Sequence, residues 1–181
     1  MNYMQSMNDG IQKNVKNWVN HVSSNSKKSL LNTVKKTAAL KLATTFVGKS
    51  IPFATRNGFK IIDFKPGYVK ALIPLKSNIN HFNAMYAGAL FTVAELPGGI
   101  ISIFSFDDKF FPTLKDLKMD FIKVAKSDIT VEFEISSDLL KKLEVEALEF
   151  GKAAFSLEGE LKDIEGNIVA RSTANYQLRT R

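Results

Sequence analysis

The segment AMYAGALFTVAELPGGIISIFSF, residues 84–106, is the most apolar part of the chain, and it contains one carboxylic acid, Glu95. Its length would allow a helix to cross a membrane. The central acid opposes that interpretation, because a charged side chain at the middle of a bilayer costs about 2.5 to 3.5 kcal/mol on insertion scales. A helix that is apolar on all sides can instead be buried inside a protein, and the neighbouring sequence favours this second interpretation.

The sequence on both sides of the segment alternates apolar and polar residues, as half-buried antiparallel strands do. Residues 58–76 contain two short runs around Pro66 and Gly67, which predict a hairpin. Residues 113–124 place Leu117, Met119 and Phe121 on one face, and residues 128–136 alternate in the same way. We therefore predict an α+β fold in which a curved antiparallel sheet wraps around one central apolar helix.

The remaining C-terminal sequence completes this arrangement. Residues 136–151 predict a charged surface helix that begins at a Ser or Asp cap and ends at Gly151. Residues 152–179 predict a second hairpin that turns at residues 164–166. The predicted order is two strands, the apolar helix and four further strands interrupted by the surface helix.

The net charge of +7 comes entirely from the N-terminal part of the chain. Residues 1–50 contain eight lysines and one acid, whereas residues 51–181 contain 17 basic and 17 acidic residues. We predict a basic helical arm over residues 1–50 and a single domain over residues 51–181. The neutral charge of that domain argues against a nucleic-acid groove, so we expect no nucleic-acid partner.

The arm contains two helical patterns separated by a polar break. The first pattern covers residues 11–22, and the second places Leu31, Val34, Ala38, Leu42 and Phe46 on one face. A basic amphipathic helix can lie on an anionic membrane surface, so peripheral membrane contact through the arm is one interpretation. The interpretation that we favour is that the second helix packs its apolar face against the domain.

Composition excludes several kinds of chemistry. The chain has no cysteine, which excludes disulfides and thiolate sites, and its N-terminus lacks the apolar run of a secretory signal, so we predict a cytoplasmic protein. The two histidines, His21 and His81, are too few for a metal cluster and argue against a serine triad. We predict no metal site.

The sequence NHFNAMYAGALFTVAE, residues 80–95, resembles the signature of hotdog-fold thioesterases. In that signature an Asn is followed by a Gly, by His-Gly-Gly and by an apolar helix that carries an acid. Asn80 matches the Asn, Gly88 matches the last Gly, and Glu95 matches the acid. The sequence departs from the signature at Asn83, Tyr86 and Ala87. Asn tolerates the left-handed backbone that glycine supplies, so we expect Asn83 to preserve the loop. It is similar to a less characterised branch with Tyr-Ala-Gly in place of His-Gly-Gly.

The resemblance implies a hotdog fold, with the N-terminal arm as an added helical extension, and hydrolysis of acyl thioesters of coenzyme A or of an acyl carrier protein. It implies Glu95 as general base or nucleophile, with Asn80 and Tyr86 as the other catalytic residues. Its substrate contacts would be made by a second group of residues, namely His81, Asn83, Ala87 and Gly88. No cofactor is expected beyond the coenzyme A of the substrate.

The spacing of Gly88 and Glu95 along the sequence affects the expected oligomeric state. With a helix that starts near Ala84, the N–H groups of Ala87 and Gly88 lie near the unpaired first turn, where they can stabilise an oxyanion. Seven residues of helix span about 10 Å, so Glu95 cannot reach the same carbonyl within one chain. The resemblance implies a homodimer, or a dimer of dimers, in which Glu95 of one protomer meets the Gly88 end of its partner.

Two alternatives remain open at this point. Glu95 could hydrogen-bond Asn or Ser side chains across a dimer interface and have only a structural role. The protein could also bind acyl-CoA or fatty acyl groups without hydrolysing them, because Tyr86 replaces a histidine and a phenol cannot act as an imidazole does at neutral pH.

Overall fold

The computed structural model describes Asn17 and residues 30–181, with side chains from residue 36 onward. The predicted helix over residues 11–22 and His21 lie outside the described residues, apart from Asn17. The secondary-structure elements in chain order are α1 (Leu30–Ser50), α2 (Pro52–Arg56), β1 (Lys60–Lys65), β2 (Tyr68–Ile73), α3 (Ala87–Ser105), β3 (Phe110–Phe121), β4 (Ile129–Glu134), α4 (Ser137–Phe150), β5 (Lys152–Lys162) and β6 (Ile168–Thr180).

The six strands form one antiparallel sheet in the order β1-β2-β4-β5-β6-β3. Burial alternates strictly along β5, where Phe155 and Leu157 are buried and Ser156 and Glu158 are exposed. The sheet therefore has an apolar inner face and a polar outer face, as the period-2 pattern predicted. Leu117 and Met119 on β3 pair with inner-face residues of β6, and β3 forms one edge of the sheet.

Helix α3 lies across the inner face and contacts β2 to β6. Its sheet-facing side chains include Val93, Ala94 and Ile101, which are almost completely buried. Helix α4 adds Leu143 and Ala147 to the same core. The predicted α+β architecture, a curved sheet around a central apolar helix, is confirmed.

The predicted ends of α4 are confirmed as well. The Oγ atom of Ser136 accepts a hydrogen bond from the N–H of Leu139 at 3.3 Å, which caps the first turn. Gly151 follows the last turn with φ 73°, the left-handed conformation that glycine adopts without steric cost.

The buried face of α1 differs from the prediction. Phe46 is buried, but Ala38 and Leu42 are exposed, and the helix packs instead through Ala39 and Ala43. These small side chains allow the helix backbone to approach β1 closely, and the Oγ1 atom of Thr44 accepts a hydrogen bond from the N–H of Ile61 at 3.1 Å. The favoured interpretation, in which this helix packs on the domain, is correct, although its contact face lies about one residue further along. The division of the chain at residue 50 stays a prediction.

Candidate functional site

The loop before α3 is held in place by Asn78. Its buried side-chain amide donates hydrogen bonds to the carbonyl oxygens of Pro74 and Asn57, at 2.7 and 2.8 Å. The backbone carbonyl oxygen of Asn78 accepts a hydrogen bond from the N–H of Tyr86 at 2.8 Å. Asn78 thus fixes the residue that precedes the helix, a positioning role that the sequence analysis did not assign to it.

Asn80 organises the turn that follows. Its side-chain oxygen accepts the N–H groups of Phe82 and Ala84, at 2.9 and 3.2 Å. Asn83 completes the turn with φ 57°, so it adopts the left-handed backbone conformation that the signature glycine would supply, as predicted. Both hydrogen bonds of the Asn80 oxygen serve the loop, and the catalytic role given to Asn80 stays a prediction.

Helix α3 begins at Ala87, three residues later than predicted. Met85 is kept extended by a β-bridge to Ile79 and by a 2.8 Å hydrogen bond from its N–H to the carbonyl of Ala125. Tyr86 is the N-cap residue, with φ −63° and ψ 134°. Ala87 and Gly88 are therefore the first two helical residues, and their N–H groups have no acceptor within the helix. The later start moves these donors closer to the positive end of the helix dipole.

The ring of Tyr86 lies directly over Gly88. A β-carbon at position 88 would overlap this ring, so glycine is what allows the ring to lie there. The Tyr86 side chain is otherwise 59% exposed and makes no capping hydrogen bond. The aromatic ring and the free N–H groups therefore stand side by side at the start of the helix.

Glu95 lies two turns further along α3 and is half-buried. Burial raises the pKa of its carboxyl group above the ordinary value. Within the part of the chain that the structure describes, no hydrogen bond or ion pair reaches this carboxylate. A half-buried acid without a partner is a candidate for function, because such a group is costly to keep for structure alone.

One side of α3 is not covered by the sheet. Ala87, Phe91, Glu95 and Gly99 follow one another at intervals of four residues, and each is exposed or half-exposed. A β-carbon on Gly99 would meet no described atom within 4 Å. We call these four residues the open stripe. Glu95 is the only charged residue among them.

The adjacent, sheet-facing side of the same helix turn carries a contact that the sequence analysis missed. The hydroxyl of Tyr176 on β6 donates a hydrogen bond to the backbone carbonyl of Glu95, and its ring packs against Gly98. Burial and the nearby Glu95 charge raise the pKa of the Tyr176 hydroxyl. A glycine directly after Pro97 inside a helix was the available sequence signal for such a close approach.

A cavity of about 440 Å³ opens beside the start of α3. It lies between the loop and residues 121–125, and its lining is mainly apolar: Asn80, Phe82, Ala84, Met85, Ala87, Leu90, Phe121, Ile122, Lys123, Val124 and Ala125. Phe82 at its mouth is 74% exposed, and the His81 ring packs against the Phe82 ring at 3.9 Å between centroids. An apolar cavity next to free N–H donors can accept an acyl group with its carbonyl at the helix start.

The structure brings only some of the predicted site residues together. Asn80 and Ala87 line the cavity, and Gly88 and Tyr86 adjoin it along the chain. His81 and Asn83 are exposed on the loop. Glu95 does not line the cavity, and it lies seven residues after Gly88 within the same helix. Among the residues that the structure describes, no three His, Asp or Glu side chains come together in a way that could hold a metal ion.

Comparison with known proteins identifies the family. Residues 40–178 match the family described as a domain of unknown function, DUF4442. The chain belongs to the DUF4442 family. No curated protein matches the chain significantly. Helix α3 is the one described helix that is long and apolar enough to span a membrane, and most of it is buried within the fold.

Solved structures place this DUF4442 protein in the hotdog thioesterase superfamily. A Pseudomonas aeruginosa protein described as a probable thioesterase is 44% identical, with a TM-score of 0.75 over 78% of this chain and 95% of that one. A Chlorobaculum tepidum protein of unknown function is 16% identical, with a TM-score of 0.69 over 81% and 97%. A Haemophilus influenzae thioesterase is 12% identical, with a TM-score of 0.62 over 78% and 90%. The last two likenesses concern the fold alone.

Proposed function

We propose that the protein hydrolyses acyl thioesters of coenzyme A or of an acyl carrier protein, with Glu95 as general base or nucleophile. The observation that carries this proposal is the carboxylate of Glu95, which is half-buried, has a raised pKa and lacks a described partner on the open stripe. The 44% identical structure described as a probable thioesterase supports the reaction class. The reaction needs no cofactor beyond the coenzyme A of the substrate, and we propose that it takes place in the cytoplasm.

The active unit in this proposal is a homodimer, on its own or within a dimer of dimers. Two copies of α3 can pair side by side and antiparallel through the open stripe. If Glu95 then faces Gly88 of the partner protomer, the two-fold axis passes midway between these positions, beside Phe91. Phe91 is 36% exposed in one protomer, and such a pairing would cover it. Each dimer would contain two equal sites.

The reaction follows from this arrangement. The thioester carbonyl oxygen accepts hydrogen bonds from the N–H groups of Ala87 and Gly88, where the helix dipole favours negative charge. A water molecule attacks the carbonyl carbon while the Glu95 carboxylate of the partner protomer takes its proton. The tetrahedral intermediate collapses, the C–S bond breaks, and the sulfur leaves with the proton held by Glu95. The products are a carboxylic acid and a thiol.

A second candidate function is acyl binding without hydrolysis. The observation that favours it is the Tyr86 ring over Gly88, which puts a phenol where the signature has a histidine. In this alternative the cavity holds the acyl group and no thiol is released. Binding without thiol release separates the two functions.

The test measures free thiol release from acyl-CoA esters of increasing chain length. We expect the wild-type protein to release thiol and Glu95→Gln to lower kcat about 1000-fold, with the fold and the dimer retained. Glu149→Gln, an exposed acid on α4, is the matched control and should retain full activity. Wild-type turnover in Glu95→Gln would contradict the catalytic role, and saturable binding without thiol release in the wild type would establish the second function.

A further inference from the structure

A second cavity, of about 600 Å³, lies where α1, α2 and β1 meet, and its described lining shares no residue with the first. Its polar lining includes Lys49 from the last turn of α1, Arg56 from α2 and Lys60 at the start of β1. The hydroxyl-bearing side chains of Thr45 and Thr55 line it as well. We call it the basic cavity.

No acid is found among the described residues that line the basic cavity. Among the side chains that the structure describes, none of its three cations forms an ion pair, whereas Lys36 on α1 is paired with Asp63 at 2.8 Å. The surrounding sequence has the same character, because residues 10–62 contain ten Lys and Arg residues and no Asp or Glu. Lysine, arginine and hydroxyl groups in one cavity are suited to bind phosphate oxygens.

Exposed apolar side chains neighbour the lining residues of this cavity along the chain. Ile51 and Phe53 stand on either side of the lining residue Pro52, and Phe53 is 53% exposed. Leu42, 59% exposed, precedes Thr45 and Lys49 by three and seven residues, which places it on the same face of α1. Cations next to protruding apolar side chains are the combination that holds proteins at anionic bilayer surfaces.

We infer that the basic cavity binds the phosphate headgroup of an anionic phospholipid and that Phe53, Ile51 and Leu42 enter the outer part of the bilayer beside it. Charge complementarity selects an anionic surface, since the described lining supplies three cations and no acid. The apolar side chains beside the cavity favour a lipid over a soluble phosphate, because a bilayer removes these side chains from water and a soluble phosphate does not. The site lies in the folded part of the chain and is independent of the reaction proposed for Glu95.

The first test is flotation of the full chain with phosphatidylcholine vesicles, with and without phosphatidylglycerol. We expect binding only when phosphatidylglycerol is present. The variant Lys49→Gln, Arg56→Gln, Lys60→Gln should lower the partition coefficient about 100-fold, because each cation near an anionic surface contributes roughly 1 kcal/mol. The control variant Lys141→Gln, Lys142→Gln, Lys152→Gln removes the same charge from exposed positions on α4 and β5 and should bind nearly as the wild type does.

The second test reports insertion directly. Trp18 is the only tryptophan of the chain, so Phe53→Trp in a Trp18→Phe background gives a single reporter beside the cavity. Its emission should shift to the blue with phosphatidylglycerol vesicles, and it should not shift with inorganic phosphate or coenzyme A. The control reporter Leu148→Trp, at an exposed position on α4, should not shift.

Three outcomes would overturn the inference. One is equal vesicle binding by the cavity variant and the wild type. Another is binding of inorganic phosphate or coenzyme A that requires the three cations, without vesicle binding, which would make the cavity a site for soluble phosphates. The third is binding of an acidic acyl carrier protein that requires these cations while the tryptophan reporter beside the cavity does not respond to vesicles.

Discussion

The two sides of helix α3 have the same backbone but opposite surroundings. The side that faces the sheet is apolar and buried, and Tyr176 packs against Gly98 and binds the Glu95 carbonyl there. The open stripe carries a carboxylate without a described partner and a glycine, Gly99, with open space around it. Packing explains the first side completely, and it leaves the second side unexplained.

This difference indicates which substitutions should change stability and which should change activity. Substitutions on the sheet side should change the free energy of unfolding and affect activity only through the fold. Substitutions on the open stripe and at the helix start should change activity while the protomer remains folded. Three experiments test this separation, in order of decreasing expected effect.

The largest effect is expected at the helix start. Gly88→Val puts a β-carbon into the space of the Tyr86 ring and next to the free N–H groups, so turnover should fall about 100-fold or more. Stability should change little, because the exposed ring can move aside and valine is a better helix former than glycine. Acyl-CoA affinity, turnover and melting temperature are measured on the same variant.

The control for that experiment is Tyr86→Ala. If Gly88→Val acts only by displacing the ring, Tyr86→Ala alone should reproduce its loss of activity. If the helix-start donors are the site, Tyr86→Ala should remain far more active than Gly88→Val. Unchanged ligand binding in Gly88→Val would place the site elsewhere.

An intermediate effect is expected from two adjacent glycines. Gly98→Ala forces a β-carbon into the buried Tyr176 ring and should lower the free energy of unfolding by about 2 kcal/mol. Gly99→Ala makes the same chemical change on the open stripe and should raise it by up to about 1 kcal/mol through helix propensity. Denaturant unfolding of both variants measures the difference, and equal effects would contradict the distinction between the two sides.

The smallest effect is expected on the pH dependence of stability, through the charge of Glu95. Its pKa is higher in the folded protein than the ordinary value of 4.5, so between these two pKa values the folded state holds more protons than the unfolded state. Its contribution to stability therefore falls as the pH rises through that interval. The Glu95→Gln variant cannot ionise at this position, so its free energy of unfolding should exceed that of the wild type at neutral pH. This difference in stability should disappear below pH 4.5. A Gln variant that is less stable at neutral pH would show that Glu95 is a structural hydrogen-bond partner.

The sequence predicted those features that short-range patterns determine. Strand alternation, the Ser136 cap and the Gly151 stop of α4, and the left-handed backbone of Asn83 all follow from residues within a few positions of one another. The resemblance to the hotdog signature over Asn80 to Glu95 singled out the acid and the loop before α3, and the catalytic roles that it implies stay predictions. These features needed no knowledge of the tertiary contacts.

The features that were mispredicted or missed depend on contacts between distant residues. The later start of α3 follows from the hydrogen bond between Met85 and Ala125, 40 residues apart. The contact between Tyr176 and Gly98 joins β6 to α3, and the residue pattern of neither element indicates this contact. The buried face of α1 differs from the predicted one because the helix packs close to β1 through the small residues Ala39 and Ala43. A hydrophobicity pattern ranks both of them below Leu42.

The central claim is that one site combines Gly88 of one protomer with Glu95 of its partner, and co-expression of two variants tests it most directly. Gly88→Val and Glu95→Gln chains are given different affinity tags, and the mixed dimer is isolated by tandem purification, with doubly tagged wild type as the control. One of its two sites then keeps both native residues, so the mixed dimer should have about half the wild-type thioesterase activity per dimer, whereas each variant alone should keep about 1% of that activity or less. A mixed dimer that is as inactive as its parents, or the absence of any mixed dimer, would contradict the claim.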